Sequence, residues 1–505
     1  MNRPFLAAIL TIALGASAAA APVDSTPANG AAAVNPDTHL VLRFASPPTV
    51  GRAGRIRIYD AADDRLVDEL DLGIPPGPTE RAPGPYPPYL ATTYDYGGPR
   101  RTNADTTPGT PSAPGVQPAA GKYQLTIIGG FTDGFHFYPV IVHGNTATIY
   151  PHHDLLRYGR TYYVEIDPGV LTVADGGFKG VKDWRFTTKA RPPAPDVRRV
   201  TVAADGGGDF ATVQGALDWV PDLHTGRVTV FVKNGDYEEI VYARNLHDVT
   251  VQGESREGVR IHYANNEVFN PHPPNVGTNE LPGTFPSRRA AFALDHVHDM
   301  TLANLTIATT ANGQAEGLLV NGERTIVKDV TIVGAGDALQ TNGSAYFENI
   351  RLAGTGDTIL GRGPAYFRHC EIDSRGAFMW IRNPQANHGN VFDHCTFRAT
   401  GGAMDDKPVL ARLPNNKGRN YPYAEAVLLD ATLIGIAPEG WGPIDGDASH
   451  VRFMEFASRA ADGKPVDAGR RHPASRQLDQ ERDAETIAHY RDPAWVLGGW
   501  TPHSP

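Results

Sequence analysis

Hydrophobic and polar positions follow two different rhythms along this chain. Between residues 37 and 190, apolar residues alternate with polar ones in short runs. HLVLRF (39–44), RIRIYD (55–60), YQLTII (123–128), TATIY (146–150), TYYVEID (161–167) and DWRFTTK (183–189) each carry the period of a half-buried strand. Six such runs bounded by turn residues predict a small antiparallel β-sandwich. The stretch 74–121 is rich in Pro, Gly and Thr and reads as a long loop inside that domain. ARPPAPDV (190–197) reads as a stiff linker, assigned to 191–197. Residues 22–36, small and polar, read as a flexible leader ahead of the sandwich.

From residue 198 the pattern becomes a repeat. ANLTIA (303–308), KDVTIVG (328–334), ENIRLAG (348–354), RHCEIDS (368–374), DHCTFRA (393–399) and LDATLIG (429–435) share one form. Their polar anchors Asn304, Asp329, Asn349, His369, His394 and Asp430 are 25, 20, 20, 25 and 36 residues apart. A short strand recurring at this interval predicts a solenoid. The L-x-x-L-x-L spacing of leucine-rich repeats is missing, whereas a parallel β-helix accepts coils of unequal length. The chain is therefore read as all-β, with a parallel β-helix over 198–505 preceded by the sandwich over 37–190. Leu305, Val330, Ile350, Cys370, Cys395 and Ala431 should form one inward ladder, with rungs ~4.8 Å apart. Cys370 and Cys395, the two cysteines, then fall in adjacent coils, either as packed thiols or as a disulfide.

Composition narrows the partners. Hydrophobic content of 41% and charged content of 20% suit a globular core. The net charge of −10, with no long basic run, speaks against nucleic acid as a partner. Arg3, the apolar run Phe5 to Leu14 and the small residues Ala16 to Ala21 read as a signal peptide over 1–21. The run is shorter than the ~20 residues of a membrane span, so the expected protein is secreted or periplasmic, with no membrane span, and monomeric. No H-E-x-x-H or comparable spacing points to a metal, no cofactor is expected, and no G-x-S-x-G places a nucleophilic serine.

The repeats also align two aspartates. Asp337 lies eight residues after Asp329, and Asp357 eight after Asn349, in the matching segments DVTIVGAGDAL and NIRLAGTGDTIL. Their carboxylates should stack one rung apart, so that one is pushed toward the protonated form while the other stays ionised. Such a pair suits glycoside hydrolysis or ester hydrolysis with a carboxylate nucleophile. It is also compatible with aspartates that only cap the turns after Gly-x-Gly. The G-H-G and R-I-K elements of β-helix polygalacturonases do not occur.

From about residue 198 onward the chain resembles the pectin methylesterases. VTVAADGGGDFATVQGALDWVP (200–221) is similar to the family's opening, VKNGDYEE (232–239) to G-x-Y-x-E, and AEGLLV (315–320) after Gln314 to Q-A-V-A-L. GAGDAL (334–339) stands where G-Y-Q-D-T-L is expected, GDTILG (356–361) where V-D-F-I-F-G is expected, LAR (410–412) at L-G-R, and PEGW (438–441) at P-x-G-W. The stretch ending in DWRFTT resembles bacterial Ig-like domains. The first resemblance implies a right-handed parallel β-helix that hydrolyses galacturonate methyl esters in pectin. It implies Asp357 as nucleophile, Asp337 as acid and base, Arg412 as the cation orienting Asp357, and Gln314 as an oxyanion donor. The glutamine expected before Asp337 is Gly336, and Leu413 and Pro414 replace the Pro-Trp after the arginine. Loss of one oxyanion donor is worth ~2.7–4 kcal/mol. A different acyl or thioester substrate, and a non-catalytic polysaccharide-binding β-helix, are the competing readings.

Overall fold

A computed structural model describes residues 22–503, except 82, 84–111, 119–120, 131–133, 175–177, 222–223, 272–286, 402–406 and 416–419. The signal-peptide reading over 1–21 and most of the loop read over 74–121 lie outside the described residues.

The C-terminal part is a parallel β-helix whose coils each supply one strand to three sheets, of eleven, nine and eight strands. One coil runs Thr325–Lys328, Thr331–Val333, Leu339–Thr341, and the next runs Ala345–Glu348, Arg351–Gly354, Ile359–Gly361. Equivalent residues stack in parallel register, as in Leu339↔Ile359↔Met379. Leu305, Val330, Ile350, Cys370, Cys395 and Ala431 are all buried in one core, as the ladder predicts. Phe347, Phe367 and Phe392 stack beside them with ring centroids 4.5 Å apart. Cys370 and Cys395 are free thiols in adjacent coils, the Cys370 N–H donating to the Cys395 sulfur at 3.4 Å.

The polar anchors of the repeat have a backbone cause. Asn304, Asp329, Asn349, His369, His394 and Asp430 all adopt φ between 52° and 57°. Asn, Asp and His tolerate this left-handed conformation better than other side chains. Each stands in a two-residue corner joining the eleven- and nine-stranded sheets, such as 329–330 or 394–395.

Ahead of the solenoid, two sheets face each other across a core that includes Leu40, Ile56, Val164 and Trp184. The first holds Asp24–Thr26, Leu40–Arg43, Thr146–Ile149 and Val140–His143; the second holds Ala31–Val34, Val181–Thr188, Thr161–Ile166, Arg55–Asp60 and Arg65–Asp71. The leader reading of 22–36 is corrected here. Asp24–Thr26 pairs with Leu40–Arg43, and Ala31–Val34 runs parallel to Val181–Thr188. Neither segment alternates apolar and polar residues, because its place in the ladder is held by backbone groups. YQLTII shortens to Thr126–Ile127, paired with Gly134–Phe135.

The two parts are closely joined. Helix Val213–Trp219 seats Val213, Ala216 and Leu217 in the solenoid core. Asp37 of the sandwich accepts from the Thr212 N–H and hydroxyl, each at 2.8 Å, just before this helix. Outward residues of the eight-stranded sheet form a column, Tyr242, Ala293, Leu319, Gln340, Leu360, Trp380. Ile128 and Phe135 of the N-terminal part cover its first three members. At the other end, Trp380 is only partly buried.

Candidate active site

Asp337 and Asp357 occupy the turns that lead from the nine-stranded sheet into the eight-stranded one. Both are left-handed, with φ of 63° and 43°. Gly336 bridges Gly356 in parallel, and the Asp337 N–H donates to the Gly356 carbonyl at 3.2 Å. The aspartates therefore sit one rung apart on the same edge, as their offset in the repeat predicts.

Their carboxylates have unlike partners. Asp357 accepts from Arg412 Nε at 2.8 Å and, through its second oxygen, from Arg412 Nη2. This two-point, charge-assisted pairing fixes the carboxylate plane. The Asp357 contact in turn holds the Arg412 guanidinium above its ordinary pKa. Asp337 is buried, and burial is the largest influence raising its pKa, with the Asp357 charge adding to it. Arg289 Nη2 at 3.0 Å and Gln314 Nε2 at 3.2 Å donate to one Asp337 oxygen and oppose that rise. The arrangement presents one carboxylate held by an exclusive ion pair beside one that is biased toward holding its proton.

Gln314 lies in the coil before Asp337, bridging Gly336 in parallel. Its amide thus sits beside the Asp337 carboxyl, and its oxygen accepts from Arg81, a residue of the N-terminal part. The sequence-predicted residues Asp357, Asp337, Arg412 and Gln314 all converge on this edge. Gly336 leaves no room for the missing glutamine: a Cβ there would lie 2.9 Å from the Gly313 carbonyl oxygen. Gln340 does not substitute for it, being fully buried beneath the site.

Three contributors were not found by sequence reasoning. Arg289 donates to Asp337 from 48 residues away in the chain, outside any repeat element. Glu316 is fully buried, and burial pushes its carboxyl up to about 7; a glutamate where Q-A-V-A-L has valine was the available signal. Trp380 lies one rung beyond Leu360, with the Arg382 and Arg412 guanidinium carbons 4.4 and 5.7 Å from its ring centroid. The aromatic lost after Arg412 is matched by this one in the preceding coil, a place the sequence reading did not consider.

Among the described residues, ligand atoms of Asp393, His394 and Asp430 lie within 4.8 Å of one another. This group sits at the corner joining the eleven- and nine-stranded sheets, and Arg491 pairs with Asp430 at 2.5 Å. It takes no part in the aspartate site.

Comparison with known proteins returns pectinesterases. A pectinesterase of Arabidopsis thaliana is 28% identical over 323 residues, covering 59% of this chain and 79% of that one. Pectinesterase 1 of Solanum lycopersicum is 26% identical over 288 residues, covering 54% of this chain and 50% of that one. The chain spans about half the length of further curated plant relatives. The carrot pectin methylesterase structure has a TM-score of 0.49 at 22% identity, covering 62% of this chain and 95% of that one. The Erwinia chrysanthemi pectin methylesterase has a TM-score of 0.44 at 22% identity, covering 61% and 98%. The pectinesterase family model matches residues 199–486, more than half of the chain, and with the fold and the aspartate pair it establishes that this chain belongs to the pectinesterase family of carboxylic ester hydrolases.

Proposed function

We propose that this protein hydrolyses the methyl esters of galacturonate in pectin, releasing methanol. The observation that carries this reading is the pairing of the two stacked aspartates with different cations, which separates a nucleophile from an acid. An Asp357 oxygen attacks the ester carbonyl while the neighbouring carboxyl, Asp337, gives its proton to the departing methoxide. Methanol leaves, and Asp357 is held as a mixed anhydride with the galacturonate acyl group. Asp337, now a carboxylate, takes a proton from water, and the hydroxide attacks that acyl carbon. Asp357 returns as a free carboxylate and Asp337 regains its proton, so both atoms and charge balance over the cycle.

Gln314 donates to the oxyanion of both tetrahedral intermediates. Arg412 keeps the attacking carboxylate in one orientation, and Trp380 offers a flat apolar face to a pyranose ring. The N-terminal sandwich is read as an Ig-like module, and the apolar leader at 5–14 supports export of the protein. Methanol release from highly esterified pectin tests the assignment. Hydrolysis of small synthetic esters with none of pectin would redirect it to another acyl substrate. Inertness toward both would leave polysaccharide binding as the function.

A further inference from the structure

Beneath Asp337 lies a buried cluster in which one guanidinium meets several carboxylates. Arg289 Nε donates to both oxygens of Glu316, at 2.7 and 2.8 Å, and its Nη2 donates to Asp337 at 3.0 Å. Its Nη1 also reaches Glu267 at 3.3 Å. One guanidinium thus faces three carboxylates, and Glu316 and Asp337 are both buried. With its amide nitrogen toward Glu316, Gln340 donates to that carboxylate at 2.8 Å and accepts from Asn342 and Arg362.

A guanidinium bonded to a general acid would by itself be counterproductive. It stabilises the ionised form and would strip Asp337 of the proton that the leaving methoxide needs. Glu316 changes that balance by occupying Arg289 at two points and, on the alkaline side where it is ionised, adding a negative charge near Asp337. We infer that Glu316 is a positioning residue for this esterase, dividing the charge of Arg289 so that Asp337 keeps its proton at the working pH. Glu316 touches no reacting atom; it acts through Arg289. Its own upward shift, caused first by burial and reinforced by Asp337, agrees with two carboxylates titrating as a pair. The other charges facing Asp337 are Asp357, which favours the proton, and Arg382, which opposes it. Arg412 also feels Asp337 but is pinned to Asp357. Arg81 is separated from Asp337 by Gln314.

This inference rests on the pectin esterase reading and is separable from it. The experiment measures kcat against pH for wild type, Glu316→Gln and the double variant Glu316→Gln/Arg289→Gln on methyl-esterified pectin. Activity falls on the alkaline side as Asp337 loses its proton. In Glu316→Gln, Asp337 has a larger share of Arg289, its pKa drops, and the alkaline limb should move to lower pH by about one unit or more. Removing Arg289 as well should move it back up. The infrared stretch of the protonated Asp337 carboxyl, isolated by difference against Asp337→Asn, should disappear at correspondingly lower pH in Glu316→Gln. An unchanged alkaline limb in a folded Glu316→Gln enzyme overturns the inference. If that variant does not fold, a double variant whose limb lies below that of wild type overturns it. A wild type inert on pectin would defeat the functional reading instead, and the infrared comparison would still decide on Glu316.

Discussion

The turn at Asp337 and the turn at Asp357 begin as copies. Both follow Gly-x-Gly, both hold the aspartate in the left-handed region, and both feed the same sheet. They part in what lies beyond the backbone. Asp357 has Arg412 at two points, whereas Asp337 shares Arg289 with Glu316 and Glu267. Burial and the Asp357 charge then raise Asp337. A repeat can supply two identical carboxylates in register, but it takes non-repeating residues to give them different partners.

The comparison is broken most directly by replacing each aspartate in turn. Asp357→Asn should lower kcat by about 10⁴-fold or more with an unchanged circular dichroism spectrum, because an amide of the same volume is a poor nucleophile. Asp337→Asn should cost about 10²–10⁴-fold and abolish the alkaline limb of the pH–rate profile. Wild type should keep its activity to pH values well above the ordinary aspartate range, since the folded-state pKa of Asp337 is raised. If Asp357→Asn abolished that limb while keeping most of its turnover, the two roles would have to be exchanged.

Arg412→Ala sharpens the contrast between an exclusive and a shared cation. Loss of its charge-assisted bonds, worth about 1.5–3 kcal/mol, should lower kcat by roughly 10- to 10²-fold. A loss seen only in KM would count against an orienting role. The glycines before the aspartates differ as well. Gly336 is limited by space, 2.9 Å from Cβ to the Gly313 oxygen, and Gly356 by its φ of 153°. Gly336→Ala should therefore lower stability by about 1–3 kcal/mol in chemical denaturation, and Gly336→Gln should not raise turnover. A gain in turnover would mean that the Gly313 segment yields easily. Trp380→Ala should have the smallest effect, raising KM for pectin by an amount equivalent to ~0.5–1.5 kcal/mol while leaving kcat and its alkaline limb in place.

Much of this was legible before any coordinates. The solenoid, its inward ladder and the aspartate register follow from one spacing rule, because a parallel β-helix turns a sequence interval into a spatial stack. Arg412 and Gln314 were reached only through resemblance to a family, since neither belongs to the repeat. Arg289, Glu316 and Trp380 were missed for related reasons. The partner of Arg289 is set by a loop with no repeat anchor. Glu316 sits in an otherwise apolar segment whose pattern conceals a buried charge. Trp380 takes its meaning from Arg382 and Arg412 around it. The strands Asp24–Thr26 and Ala31–Val34 escaped because edge pairing leaves no side-chain alternation to read.

The left-handed corner also says where this architecture can evolve. It is two residues long at 304–305, 329–330, 349–350, 369–370, 394–395 and 430–431, although earlier in the chain, at 254–258, it is five. From residue 304 onward the longer coils gain their residues elsewhere, as at 310–317, in the turn that leads into the eight-stranded sheet. Over these coils one corner thus behaves as a spine that keeps count, while the turns on the aspartate side are free to lengthen. Loops can lengthen there without the two aspartate rungs slipping out of step.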